Sequence, residues 1–291
     1  MKHQSDYLRF LQCARNLTEM TCKQYAQGLS IFEKWLETMQ LPESEVTAQN
    51  VTQWVMWQTS NGIKAVTVNN RVIIMRRYYD YCCMMHGYSN NPFVGVKPLK
   101  VPKLLPKFIP SDIINAAVAA IPTNTFDGVR RSAIIMTFFC SGIRRSELLN
   151  LSVYDVDMTN KVLHVFGKGR KERLCPIPNI LEEYLIHWNQ WRTANCPGQA
   201  QYYFCHVNGS RISETDLAYI IRQVFSGFVE RKLQHPHILR HSFATVMMQA
   251  GVPIPDIAQL MGHVNTSTTL RYLSLSPASQ YNNILNSIFK Q

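Results

Sequence analysis

Residues 235–272 read HPHILRHSFATVMMQAGVPIPDIAQLMGHVNTSTTLRY. His237 and Arg240 stand three residues apart, one turn of a helix, so their side chains share a face. A Gly262-His263 pair follows, and nine residues beyond that histidine comes Tyr272. Two imidazoles, a guanidinium and a phenol within 36 residues suit a site that holds an anion and attacks it. The apolar spacing predicts helices over 237–250, 255–261 and 266–273. His235, His237 and His241 also raise a metal site, but no cysteine or carboxylate cluster accompanies them, so no metal is expected.

Two patches upstream offer further convergent cations. SGIRRSELLNL (141–151) places Arg144 at the start of a short helix after a glycine turn, with Glu147 three residues on. GKGRKE (167–172) carries Lys168 on a basic, glycine-rich turn between two predicted strands. A phosphate pocket leaves Glu147 no place as a ligand. It either orients a cation from behind or stands as a carboxylate on the helix surface.

The chain has 291 residues, 46% of them hydrophobic and 17% charged, which excludes a disordered protein. Thirty Lys and Arg against 19 Asp and Glu leave a net charge of +11, favouring a polyanionic partner, nucleic acid before membrane. The eight cysteines form no C-x-x-C pair and read as reduced thiols of a cytoplasmic protein. The N-terminus lacks the apolar core of a signal peptide. No run reaches the roughly 18 apolar residues of a membrane span, so no membrane partner is expected.

Helical spacing predicts α-helices at 4–14, 18–39 (capped by Thr18), 48–59 and 66–86 (ended by Gly87). The segment 97–110, KPLKVPKLLPKFIP, holds four prolines and four lysines and reads as an extended basic tether. Beyond it, helices are expected at 111–120 (capped by Ser111-Asp112), 127–140, 179–194 and 213–231. Short strands are expected at 153–156, 162–166 and 173–177. A final amphipathic segment, SQYNNILNSIFKQ, sets Tyr281, Ile284, Leu285 and Ile288 on one face. The fold class is therefore mainly α. An all-helical N-terminal domain (1–96) and the tether (97–110) precede a mostly helical α+β domain with a small antiparallel sheet (111–291).

Taken together and in this order, the patches resemble the tyrosine recombinase family, which includes the phage integrases and the bacterial Xer proteins. SGIRRSELLNL resembles its first arginine motif and GKGRKERLCPIP its lysine hairpin. HILRHSFAT resembles its histidine–arginine motif, and LMGHVNTSTTLRY its closing histidine–tyrosine motif. The helix VNNRVIIMRRYYDYC and the linker NPFVGVKPLKVPKLLP are also similar, so the likeness spans nearly the whole chain. It implies six catalytic residues, Arg144, Lys168, His237, Arg240, His263 and Tyr272, with no departure at any of them.

The roles follow ordinary phosphoryl chemistry. Arg144 and Arg240 make forked hydrogen bonds to non-bridging oxygens, and His263 adds a donor. Tyr272 is the expected nucleophile and His237 the candidate acceptor of its proton, and the resemblance implies that Lys168 protonates the departing 5′-oxygen. No cofactor or metal is implied. The resemblance further implies a core-binding domain and a catalytic domain clamped around double-stranded DNA carrying a specific site. It also implies a 3′-phosphotyrosine intermediate, a Holliday junction, and a homo-tetramer built through the C-terminal helix, with or without a paralogous recombinase. Arg71, Arg76, Arg77, Lys100, Lys103, Arg145, Arg170 and Lys171 are candidate DNA contacts. Two other functions fit the same residues less well: a type IB topoisomerase that nicks and reseals, and a DNA-binding protein whose site no longer reacts. His235 and His241 are expected to be structural.

Overall fold

In this computed structural model the structure describes residues 1–102, 107–167 and 172–262. Contacts divide the chain into two compact units, Met1–Leu104 and Leu105–Gln291, and the division falls inside the proline-rich segment. That segment is less of a free tether than its composition suggests, because each end is fastened to its own unit. Leu99 exchanges paired hydrogen bonds with the Asn69 amide (2.8 and 3.0 Å), and the buried Ile109 amide donates to Ser242 Oγ at 2.7 Å.

The first unit holds α1 (Gln4–Cys13), α2 (Glu19–Met39), α3 (Ala48–Ser60) and α4 (Ala65–His86). Thr18 and Thr47 start α2 and α3 by accepting the amides of Thr21 and Asn50, which would otherwise lack partners. Gly87, at φ +70°, closes α4 in the left-handed conformation. The apolar faces meet on Phe32, whose ring stands edge-on to Trp54 and Phe93 with centroids 4.8 and 5.6 Å away. Glu43, in the turn before α3, closes one end of the core. It accepts the Tyr78 hydroxyl on its carboxylate at 2.6 Å and the Tyr79 hydroxyl on its carbonyl at 2.9 Å.

The second unit runs α5 (Ser111–Ala119), α6 (Phe126–Ser141), α7 (Arg145–Asn150), β1 (Val156–Asp157), β2 (Val162–Phe166), β3 (Glu172–Pro176), α8 (Asn179–Asn195), α9 (Glu214–Phe225), α10 (Pro236–Gln249) and α11 (Ile254–Leu260). The fold is mainly α, with one antiparallel sheet in the order β1-β2-β3 and Val165 opposite Arg173. α6 is the central post, with α8 and α10 packed on it, and Arg131 is its single residue between 128 and 141 that is not buried. Such a helix has to satisfy its polar side chains internally. The hydroxyls of Ser132, Thr137 and Ser141 each turn back onto the carbonyl four residues earlier, at 3.1, 2.7 and 2.5 Å.

Three sequence expectations need correction. Residues 153–155 form a 3-10 turn rather than a strand, because the Asp155 carboxylate takes the Ser152 amide at 2.7 Å; strand pairing is left to Val156 and Asp157. α9 stops at Phe225 instead of 231, where Ser226 turns extended and Gly227 takes φ +84°. Ser111 is the first residue of α5 rather than its cap, a position held by Pro110. The helix expected at 266–273 and the C-terminal amphipathic segment lie outside the described residues. Among the described residues no helix is long and apolar enough to cross a membrane.

Gly142 ends α6 at φ +58°, and a Cβ there would lie 2.5 Å from Cδ1 of the buried Phe243. Left-handed backbone and overpacking both penalise a side chain at this position. Gly142→Ala is expected to lower unfolding free energy by about 3 kcal/mol, read from the denaturation midpoint.

Candidate active site

The site is assembled where α6, α7, β3, α10 and the end of α11 converge in the second unit. Arg144 caps α7, and Glu147 sits at the third helical position. That spacing lets the Glu147 carboxylate accept the Arg144 amide at 2.8 Å and its Nη1 at 2.7 Å. Arg173, on β3, grips the same carboxylate from the other side with a two-pronged contact, 2.9 and 2.7 Å. Glu147 is thus buried between two guanidiniums. Arg240 projects from α10 and is 7% exposed. It donates to the Gly142 carbonyl and, at 2.6 Å, to the Met261 carbonyl.

The last turn of α11 supplies the common anchor. Helix C-termini leave carbonyls without intrahelical donors and carry partial negative charge. Here three consecutive carbonyls are taken by three arginines. Leu260 accepts Arg173 Nε at 2.9 Å, Met261 accepts Arg240, and Gly262 accepts Arg144 Nη2 at 2.8 Å. Gly262 is left-handed at φ +66°, and a Cβ would press on Arg173 Cδ at 3.0 Å.

Three guanidiniums against a single carboxylate leave this cluster strongly cationic. Burial, then the charges of Arg144 and Arg173, push the Arg240 pKa down to about 10, so it stays protonated at neutral pH. Burial alone would raise the Glu147 pKa. The Arg173 and Arg144 hydrogen bonds outweigh that and hold it at about 2, against an ordinary 4.5. A depressed carboxyl pKa contributes stability that is present above the unfolded value and lost as pH falls through the folded one. Between pH 4.5 and 2 the wild type should therefore lose about 3 kcal/mol from this group. Glu147→Gln is expected to flatten that acid limb in denaturant titrations at stepped pH.

His237 lies on the first turn of α10 and is exposed. Partial desolvation first, then Arg145, His235, His241 and Arg240, lower its pKa from 6.5, so the ring is neutral and able to accept a proton at neutral pH. His235 is the N-cap of α10, its Nδ1 accepting the Ile238 amide at 3.2 Å, and His241 is an exposed residue of the same helix. Lys168, His263 and Tyr272 lie outside the described residues, as do Lys103, Arg170 and Lys171.

The remaining candidate DNA contacts have local duties. Arg145 pairs with Glu214 at 3.0 Å on the surface. Arg71 donates to the buried Gln58 at 2.9 Å, and Arg77 donates to the Tyr25 hydroxyl. Arg76 holds the carbonyls of Phe93 and Val96 at 3.0 and 2.9 Å, pinning the chain that follows α4. Lys100 is exposed.

Among the described residues one grouping brings three metal-ligating side chains together, His3, Asp6 and His86 in the first unit. Its imidazoles are stacked 3.6 Å apart and parallel to within 14°, so their in-plane lone pairs do not meet at a point an ion would occupy.

Arg173 is the residue that sequence reading missed. The signal was present: alternation in ERLCPI puts Arg173 on the same strand face as Cys175 and Ile177, both buried. An arginine on a core-facing strand position is costly unless it is paired and hydrogen-bonded, and Glu147 provides the pairing.

Residues 107–279 match the Phage integrase family, and residues 5–84 match the N-terminal SAM-like domain of phage integrases. Tyrosine recombinase XerC of Staphylococcus epidermidis is 31% identical over 279 residues, covering 94% of this chain and 93% of that one. XerC of Staphylococcus aureus is 30% identical over 281 residues, covering 95% and 93%. Among solved structures, the XerH site-specific recombinase bound to a palindromic difH substrate, in a post-cleavage complex, superposes with a TM-score of 0.74 at 19% identity, covering 99% of this chain and 85% of that one. The Tn1549 transposon integrase (aa 82–397) in complex with circular intermediate DNA superposes at 0.71 with 19% identity, covering 92% and 94%. Shared fold and sequence similarity over both units place the chain in the phage integrase family, as a tyrosine-type site-specific DNA recombinase.

Proposed function

We propose that the chain cuts and rejoins double-stranded DNA at a specific site through a covalent 3′-phosphotyrosine. The Tyr272 phenol oxygen attacks the scissile phosphorus, forming a P–O bond as the bond to the 5′-oxygen breaks. The phenol proton passes to His237, and the departing 5′-oxygen receives a proton from Lys168. Charge grows on the non-bridging oxygens at the pentacovalent transition state, where Arg144, Arg240 and His263 stabilise it. A second 5′-hydroxyl reverses these steps on a new strand. No external energy source enters, because the phosphodiester's energy is held in the tyrosyl ester.

The observation that carries this reading is the set of arginines docked on the carbonyls of Leu260, Met261 and Gly262, next in sequence to His263. It provides preorganised cations and needs no reorganisation when charge develops. Strand exchange through a Holliday junction, in a tetramer on two DNA sites and with or without a paralogue, completes the proposed reaction.

The test is to incubate the protein with random duplex DNA, isolate covalent complexes under denaturing conditions and sequence the attached strands. A recurring duplex linked at Tyr272 supports the reading, and the absence of any tyrosine-linked DNA refutes it. A plasmid carrying two copies of the recovered duplex then separates recombination from topoisomerase action: recombinant circles support the first, relaxed plasmid alone the second.

A further inference from the structure

We infer that Arg173 is a positioning residue for the reaction, acting through Glu147 and Arg144 rather than on the phosphate itself; this rests on the function proposed above. Its guanidinium uses Nη1 and Nη2 on the two Glu147 oxygens and Nε on the Leu260 carbonyl. Its side chain is 9% exposed, whereas that of Arg144 is 34% exposed. Arg144 is thus open on one side, and Arg173 is enclosed behind it.

One planar group therefore joins three segments that lie far apart in the sequence. α7 contributes Glu147, and through it the orientation of Arg144. β3 begins at Glu172, four residues after Lys168 in the sequence. The end of α11 leads directly into His263. Without Arg173 the Glu147 carboxylate keeps one guanidinium instead of two and loses its two-pronged partner. Arg144 Nη1 is then held by a carboxylate whose remaining ties are to Arg144 itself, through its amide and that same Nη1. A lysine at 173 preserves the charge and presents a single ammonium, which cannot reproduce a fork and a third bond in one plane.

The experiment compares the wild type with Arg173→Lys, using the duplex recovered by covalent trapping. Single-turnover formation of the covalent complex is expected to slow about 100-fold, as positional losses behind a reacting group do. The duplex Kd should remain within about threefold, since the phosphate-binding cations are retained. A residue needed only for folding would give another pattern, with fewer active molecules and a lower Tm but an unchanged rate constant in the survivors. That pattern overturns the inference. A second measurement needs no DNA. Phenylglyoxal modification of Arg144, mapped by mass spectrometry, should quicken severalfold in Arg173→Lys, and an unchanged rate overturns the inference.

Should Arg173→Lys not fold, Glu147→Gln breaks the same tie from its other end and should reproduce both effects, and its failure to do so counts against the inference. If the wild type forms no covalent complex, the function proposed above falls, while the phenylglyoxal comparison still decides the placement of Arg144.

Discussion

Replacing Tyr272 with phenylalanine is expected to abolish the covalent complex with DNA, reducing strand cleavage by at least about 10⁴-fold. The substitution removes one oxygen and leaves the ring. Affinity for duplex should be unchanged, because a neutral phenol adds no charge to a binding surface dominated by phosphate contacts. A phenol with an ordinary pKa of about 10 is a poor nucleophile at neutral pH. Its reactivity in the proposed mechanism comes from the surrounding cations and from His237, which is neutral and ready to accept the proton. The measurement is a denaturing gel of a duplex labelled at the 5′ end of the cleaved strand, since that fragment stays attached through its 3′-phosphate. A labelled covalent band with the phenylalanine variant would assign the nucleophile elsewhere.

Arg240→Ala is expected to have the next largest effect, slowing single-turnover cleavage by about 10³-fold. Arg240 is buried, and its cost to the fold is visible in the pKa that burial and its neighbouring arginines push down to about 10. Two effects on stability oppose each other in the variant. The Gly142 and Met261 carbonyls lose a donor, costing about 1–3 kcal/mol each if they stay buried, while repulsion from Arg144 and Arg173 is relieved. The Tm should therefore move much less than the rate. Binding gives an independent check: a lost phosphate contact lowers the slope of log K against log salt by about one. A rate within tenfold of wild type and an unchanged slope would remove Arg240 from the phosphate.

Much of the fold is legible because its signals are local. α2 carries a threonine cap and apolar residues at helical spacing, and α2 and α3 both lie within a residue of their expected bounds. The misread segments are those where a polar side chain or a glycine competes with periodicity. Asp155 captures a backbone amide and curls 153–155 into a turn, although its β-branched neighbours read as strand. Gly227 halts α9 inside an apolar pattern that continues past it. The second unit's cations are legible as residue types near the right turns. Their geometry is not, since Arg173, Arg240 and Arg144 are drawn together by main-chain carbonyls that carry no residue identity. The same blindness applies to Arg76, which reads as a surface cation of α4 and instead ties down the chain after that helix.

The carbonyl anchor at the end of α11 also constrains which changes the segment can absorb. Leu260 and Met261 meet the core through their side chains and the arginines through their backbone, so a change of side chain and a change of length are different kinds of lesion. An apolar replacement of similar volume disturbs packing and leaves the acceptors where they were. A one-residue insertion or deletion within α11 rotates every following carbonyl by about 100° and shifts it by about 1.5 Å, which dismounts all three guanidiniums at once. This helix is therefore free to drift in composition but fixed in length, and an alignment of related chains should show substitutions here without gaps.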